Sequence, residues 1–271
     1  MPLVRASDLP DQALLDLFNA GYSDYLLPMR LTAAALAEHV AANDIDLACS
    51  HVVLADRPAA FALIAHRDGA GWVGGMGTDP RYRRRGLGEE ALTAGLATLG
   101  DLGASVAWLE VIDQNRRALL LYKKLGFEVV RDLVVWSLPA RDTDTTTART
   151  FDASSAHAWI RASRRDREPW QRADESVAGI GAHGAALRGL VVERDGEVAA
   201  AALVRDGAAV VEALQLVAPD EQGAEDLLLA AAGAGRELRF RNVPDGAPAS
   251  LALERLGARR IATQHEMRVP L

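Results

Sequence analysis

Two stretches lying 131 residues apart constrain this chain more than any other feature. "LALERLGARRI", residues 251–261, aligns with "LLYKKLGFEVV", residues 120–130, at a constant offset of 131. Upstream of these, "LQLVAPDEQGAEDLLLA" (214–230) resembles "GGMGTDPRYRRRGLGEEALTA" (74–94) with its loop shortened. Chance similarity between alanine- and leucine-rich helices is the competing explanation. Against it stands the matched order of elements: helix, strands, helix, strand, helix, strand. A repeat of this kind predicts two copies of one fold. A chain of 271 residues fits two ordinary domains better than one large one.

"PARDTDTTTART", residues 139–150, is polar and lacks both helical and strand periodicity, so it is expected to be a linker. The expected domains are therefore 1–138 and 151–271. In the first half, strands are expected at "LVRA", "HVVLA", "AAFALIAH", "GWVGGMGT", "SVAWLEVI", "FEVVRD" and "LVVWSL". Helices are expected from Asp11, after Thr32 as N-cap, from near Gly86, and over "NRRALLLYKKLG", which ends at Gly126 as a C′ glycine. This mixture predicts an α/β (mixed α+β) fold class, with a mixed central sheet flanked by helices in each half.

The formal net charge of −7 argues against a general nucleic-acid binder. No apolar run approaches the roughly 20 residues of a membrane-spanning helix, and "MPLVRASDLPDQ" has no leader-like pattern. The single cysteine, Cys49, excludes an internal disulfide and a cysteine-rich metal site. A cytoplasmic protein without a metal, membrane or nucleic-acid partner is expected, as a monomer or homodimer.

Within this acidic chain, "RYRRRGLGEE" (81–90) gathers four arginines ahead of a glycine pair and a helix start. A helix N-terminus presents unpaired N–H groups and the positive end of its dipole, glycine admits a ligand close to the backbone, and arginine adds bidentate donors. Together these favour a phosphate. Only Lys123 and Lys124 are lysine, so arginine is the ordinary surface cation here and the cluster alone is weak evidence. A solvated basic loop is the plain alternative. "GLGEEA" also fits a dinucleotide fingerprint, with Glu110 placed as its ribose acid, but Pro80 and the arginines separate it from the strand, against what that fold requires.

"RRRGLG" (83–88) followed by "LEVIDQNRRALLLYKKLGF" resembles the GCN5-related N-acetyltransferase (GNAT) family over nearly the whole first half. The resemblance is greatest to bacterial enzymes that acetylate the N-terminal alanine of a ribosomal protein. It implies two tandem acyl-CoA N-acyltransferase folds and direct transfer of acetyl from acetyl-CoA to a primary amine, on a small molecule or a peptide N-terminus. By this resemblance the cofactor arm pairs with the strand end Met76, Gly77 and Thr78. Its pyrophosphate meets Arg83, Arg84, Arg85, Gly86, Leu87, Gly88 and Glu89. Asn115, which on its own fits a helix cap, would lie against the arm. Tyr122 would protonate the departing thiolate, and Glu110, twelve residues before it, would be the general base. A thiol with pKa about 8.5 and a phenol of about 10 make that proton transfer reasonable at neutral pH. An alkyl amine of pKa about 10.4 gives a base a clear task. Packing is the plain alternative for Tyr122, and a structural carboxylate for Glu110. A non-catalytic acyl-CoA-binding module is the rival function.

"GYSDYLLP" would border the acceptor by this resemblance, and Tyr22, Asp24 and Tyr25 there could meet an amine, but surface packing is the better account of them. Cys49 and His51 are expected to pack, Lys123 and Lys124 to face solvent, and His39 and His66 have no partner that spacing reveals. In the second half, Leu253, Gly246 and Arg241 stand where Tyr122, Asn115 and Glu110 stand in the first. It is expected to be a degenerate acetyltransferase-like domain without turnover of its own.

Overall fold

The structure, a computed structural model, describes residues 1–26, 29–140, 146–233 and 235–271. The last two residues of "GYSDYLLP" and residues 141–145 of the expected linker fall outside these. The chain forms two compact units, one of Met1–Val130 with Glu266–Leu271, the other of Arg131–His265.

In the first unit the elements follow as β1 (Leu3–Arg5), α1 (Asp11–Gly21), α2 (Ala33–Ala42), β2 (His51–Leu54), β3 (Pro58–Arg67), β4 (Ala70–Thr78), α3 (Leu87–Asp101), β5 (Val106–Ile112) and α4 (Arg116–Lys124). Strands β1 to β4 pair antiparallel in sequence order, and β5 joins β4 in parallel. The chain's last residues close this unit, where the Leu271 N–H donates to Ser105 O at 3.1 Å. Alternation along β3 sends Ala60, Ala62 and Ile64 into one core with Leu92 and Leu99 of α3, Tyr122 of α4, Met267 and Val269. Phe61 points the other way and stacks on Phe18 of α1 at 5.5 Å. Thr32 caps α2 by accepting from Ala35 N, and Gly126 (φ 88°) ends α4 as expected.

The second unit repeats this order: β7 (Arg149–Phe151), α5 (Ala153–Ser163), α6 (Asp174–Ala182), β8 (Leu187–Arg194), β9 (Glu197–Asp206), β10 (Val210–Val217), α7 (Glu221–Ala232), β11 (Glu237–Pro244) and α8 (Pro248–Arg255). Again the early strands pair antiparallel and one parallel pair, β10 with β11, follows. Ala202 and Val204 of β9 face Leu227 and Leu228 of α7. Ala201 and Leu203 face Ile160 of α5 and Val177 of α6, so helices cover both faces.

The strands expected at "FEVVRD" and "LVVWSL" are one strand, β6 (Glu128–Leu138), because no glycine or proline interrupts it. Its Arg131–Asp132 pair is accommodated by hydrogen bonds, with the Asp132 carboxylate 2.6 Å from His265 Nδ1 and the Arg131 guanidinium donating to Arg167 O. The units part at Val130/Arg131, inside β6, rather than within 139–150, and residues 149 and 150 belong to β7. The final strand, β12 (Arg259–Pro270), supplies Glu266–Pro270 to the first unit.

Candidate active site

The site begins where two parallel strands stop pairing. β4 and β5 are in register only from Ala70–Trp72 against Val106–Trp108. Gly74 then interrupts the β3 pairing, which passes from Leu63↔Gly75 to Ile64↔Val73. Asp79 N donates to Ala59 O at 2.9 Å, so strand alternation turns the main chains of Gly77 and Gly75 toward β3 and those of Met76 and Thr78 toward the opening. Side chains cap part of this free edge. His39 Nε2 lies 2.8 Å from Gly74 O, the Met76 N–H donates to the Tyr22 hydroxyl at 3.3 Å, and Arg83 Nε donates to Thr78 O at 3.1 Å.

The arginine loop leads from that edge into α3, and its four arginines separate into two pairs. Asp79, buried, accepts from Arg81 N and from the Arg81 guanidinium, which holds its carboxyl below the usual carboxylate range. Arg83 donates both terminal nitrogens to the Asp24 carboxylate at 2.6 Å and also reaches Gly21 O. Its guanidinium, expected among the phosphate contacts, instead ties the end of α1 to the end of β4. Arg84 and Arg85 are exposed and accepted by no described residue, with Arg85 lying over the Tyr82 ring.

Arg84 (φ 65°) and Gly86 (φ 79°) are both left-handed, which curls the backbone into a nest. The N–H groups of residues 84–89 have no acceptor among the described residues, the first helical bond being Glu90 N to Gly86 O. Gly88 lets α3 rest on β4, since a Cβ there would meet Thr78 Oγ1 at 2.9 Å and Met76 Cε at 3.0 Å. Leu87 is buried, so only its main chain faces this cradle. The Glu89 side chain is held by Lys124 Nζ at 2.6 Å, giving one of the two lysines a definite partner.

Of the three residues expected to carry the chemistry, Glu110 lies on β5 two residues past its last pairing with β4, Asn115 stands at the start of α4 and Tyr122 lies within it. Glu110 accepts from Trp72 Nε1 at 2.8 Å, which fixes a carboxylate in an otherwise apolar strand. Asn115 caps α4 by accepting from Ala118 N at 3.3 Å. Tyr122 is buried, and its hydroxyl has no hydrogen-bond partner among the described residues. Burial, then the neighbouring Tyr22 and Tyr25, pushes its phenol well above the ordinary tyrosine value. Tyr22 and Tyr25 meet edge to face at 5.0 Å.

Trp72 and His39 carry no role in the sequence reading, and Tyr22 was expected beside the acceptor rather than on the strand edge. Their signal lies in the β4/β5 register and the Gly74 bulge, which one sequence does not display. Cys49 and His51 lie apart from this site. Burial, then Asp46, pushes the Cys49 thiol up to about 11, so it stays protonated. His51 meets Thr98 Oγ1 and Arg5 at 2.8 Å.

The second unit carries the same opening in a filled form. Register places Glu212 opposite Arg239 as Trp72 stands opposite Trp108, and Arg241 takes the place of Glu110. Arg241 and Glu212 form an ion pair at 2.9 Å. Beyond the last pair, Ala213↔Phe240, the buried Arg172 guanidinium donates to Leu214 O on β10 and Asn242 O on β11. Glu168 neutralises it at 3.1 Å, and the Phe240 ring stacks beneath it at 4.4 Å. At the start of α7 the Asp220 carboxylate accepts from Gly223 N at 2.8 Å and is held by Arg194 at 2.6 Å, so the chain supplies its own anion there.

Residues 12–127 match the Acetyltransferase (GNAT) family. A mycothiol acetyltransferase of Acidimicrobium ferrooxidans is 46% identical over 67 residues, 24% of this chain and 22% of that protein. A [Ribosomal protein bS18]-alanine N-acetyltransferase of Salmonella typhimurium is 38% identical over 72 residues, 27% of this chain and 49% of that protein. The chain thus spans less than half the length of these relatives. Over almost its entire length it shares a fold with a tandem GNAT protein from the clavulanic acid biosynthesis pathway. There the TM-score is 0.69 at 14% identity, covering 99% of this chain and 98% of the other. The match to the GNAT acetyltransferase family thus lies within the first unit, while the fold likeness runs over both.

Proposed function

We propose that the first unit is an N-acetyltransferase that moves the acetyl group of acetyl-CoA to a primary amine, and that the second is a degenerate copy without turnover. One observation carries this reading: the open edge of β4 runs directly into a nest of unpaired amides flanked by two uncommitted arginines. An extended arm ending in a pyrophosphate fits that arrangement. Met76, Gly77 and Thr78 would take the arm through their main chain. The amides of residues 84–89, with Arg84 and Arg85, would take the phosphates, while Arg83 keeps the strand end in place. Asn115 would stand beside the arm as it caps α4. When bound, acetyl-CoA supplies an activated acyl group.

The protein's part is proton handling. Glu110, directly or through water, takes the proton of the attacking amine as the C–N bond forms. Tyr122 gives its proton to the thiolate as the C–S bond breaks. The relatives are named a mycothiol acetyltransferase and a [ribosomal protein bS18]-alanine N-acetyltransferase, so small-molecule and protein acceptors are both proposed. No described helix is long and apolar enough to cross a membrane, and we place the reaction in the cytoplasm.

The test is a screen of small amines and N-terminal peptides with acetyl-CoA, scored by released CoA thiol. Release with at least one acceptor is expected. Acetyl-CoA at a hundred times its Kd should stabilise the fold by about 2.7 kcal/mol, and Arg85→Glu with Gly86→Asp should abolish that gain. A wild-type melting temperature indifferent to millimolar acetyl-CoA overturns the reading. Binding without release on any acceptor leaves an acyl-CoA-binding module.

A further inference from the structure

The free edge of β4 is not bare. Gly74 O, the Met76 N–H and Thr78 O are each engaged by a side chain, and the three caps differ in strength. Arg83 holds Thr78 O while its other nitrogens make two 2.6 Å bonds to the Asp24 carboxylate, so this cap is locked by charge. His39 holds Gly74 O at 2.8 Å, with its second ring nitrogen 3.3 Å from Asn43. Tyr22 is the weak member: it accepts one neutral bond from the Met76 N–H at 3.3 Å, the longest of the three. The Tyr22 ring keeps its own packing, 4.7 Å from Phe18 and 5.0 Å from Tyr25, independent of that bond.

A strand edge with an unpaired N–H is a template for an added extended chain. Tyr22 covers the outward N–H of Met76, and it comes from the loop after α1, outside the sheet.

We propose that the Tyr22 hydroxyl is a built-in competitor of the acyl-CoA arm for the Met76 N–H, so that arm binding and the seat of Tyr22 on the strand are mutually exclusive. This rests on the acetyl-CoA reading of the site. Its consequence is a link between cofactor and acceptor. Tyr22 packs against Tyr25, and both lie close enough to Tyr122 to raise its phenol pKa, so a displaced Tyr22 changes the wall around the proposed acid.

Tyr22→Phe keeps the ring and removes the competing oxygen. One hydrogen bond of ordinary net strength corresponds to a roughly 3- to 10-fold change in affinity. Calorimetric titration should therefore show acetyl-CoA binding about 3- to 10-fold more tightly to Tyr22→Phe than to wild type. The phosphoadenosine diphosphate portion of CoA, which lacks the arm, should bind both proteins equally. Wild type should also give a tyrosine difference spectrum on adding acetyl-CoA that Tyr22→Phe largely loses. Should Tyr22→Phe melt lower than wild type, exchange of the Met76 amide in the wild type decides the matter: acetyl-CoA must alter its protection. Unchanged or weaker acetyl-CoA binding in a folded Tyr22→Phe overturns the proposal and leaves the acetyltransferase reading standing. Equal tightening of both ligands also overturns it. A wild type that binds neither ligand removes both.

Discussion

Tyr122 is a phenol that the fold keeps protonated. Burial, then Tyr22 and Tyr25, raises it, and burial, then Tyr25, raises Tyr22 against a smaller lowering by Met76. An unfolded tyrosine ionises near pH 10. Below that pH both states hold the proton and the contribution to stability is complete. Above it the unfolded chain releases protons that the folded chain keeps, so stability falls as pH rises. The melting temperature should accordingly decline above about pH 10, and less steeply in Tyr122→Phe. The same substitution should lower kcat by about a hundredfold or more, as expected for loss of a general acid, with acetyl-CoA affinity nearly unchanged. A kcat equal to wild type would remove Tyr122 from the mechanism. Trp72→Phe should reduce kcat more than it weakens acetyl-CoA binding, since it removes the N–H that holds Glu110 and keeps a ring against His39. The spacing of Tyr122, Asn115 and Glu110 was visible in sequence because α4 and β5 are regular elements with fixed periods. Trp72 was not, because its meeting with Glu110 depends on a register between two strands separated by a whole helix.

The helix α3 and the loop before it act as one element. Gly86 needs its φ of 79° and has open space around it, so Gly86→Ala meets backbone strain alone. That strain costs about 1–2 kcal/mol. The nest is where it is felt, so acetyl-CoA binding should weaken alongside a modest drop in melting temperature. Gly88→Ala differs in kind: its Cβ meets the ends of the Thr78 and Met76 side chains, so it should perturb the strand end. The ends of this helix and its neighbours were legible because caps are local chemistry, as Thr32 and Asn115 demonstrate. The sorting of the arginines was not. Arg81 answers to Asp79 two residues away, but Arg83 answers to Asp24, brought near only by the packing of α1 on β4.

For the whole molecule, the filled opening of the second unit gives a count. Arg172 spans the second pair of parallel strands and Asp220 occupies the second helix start, so calorimetry should find one acetyl-CoA bound per chain. A value of two would contradict the lapsed-copy reading. The repeat was legible at an offset of 131 because core leucines and the C′ glycine were retained. The path of the chain was not, for strand patterns do not say which sheet a strand joins. Met267, fully buried, lies in the core that holds Tyr122 and Phe127. Met267→Ala should cost about 2–5 kcal/mol and lower turnover, although it stands far from "RRRGLG" in sequence. That return of Glu266–Leu271 to the first unit also sets a clock. A ribosome making roughly 5–20 residues per second takes on the order of ten seconds to pass from Arg131 to His265. Throughout that interval the nascent first unit has all of residues 12–127 and still lacks part of its core. Its apolar face is then open to chaperones and proteases, and a chain stalled within the second half would be degraded as unfinished rather than released as an enzyme.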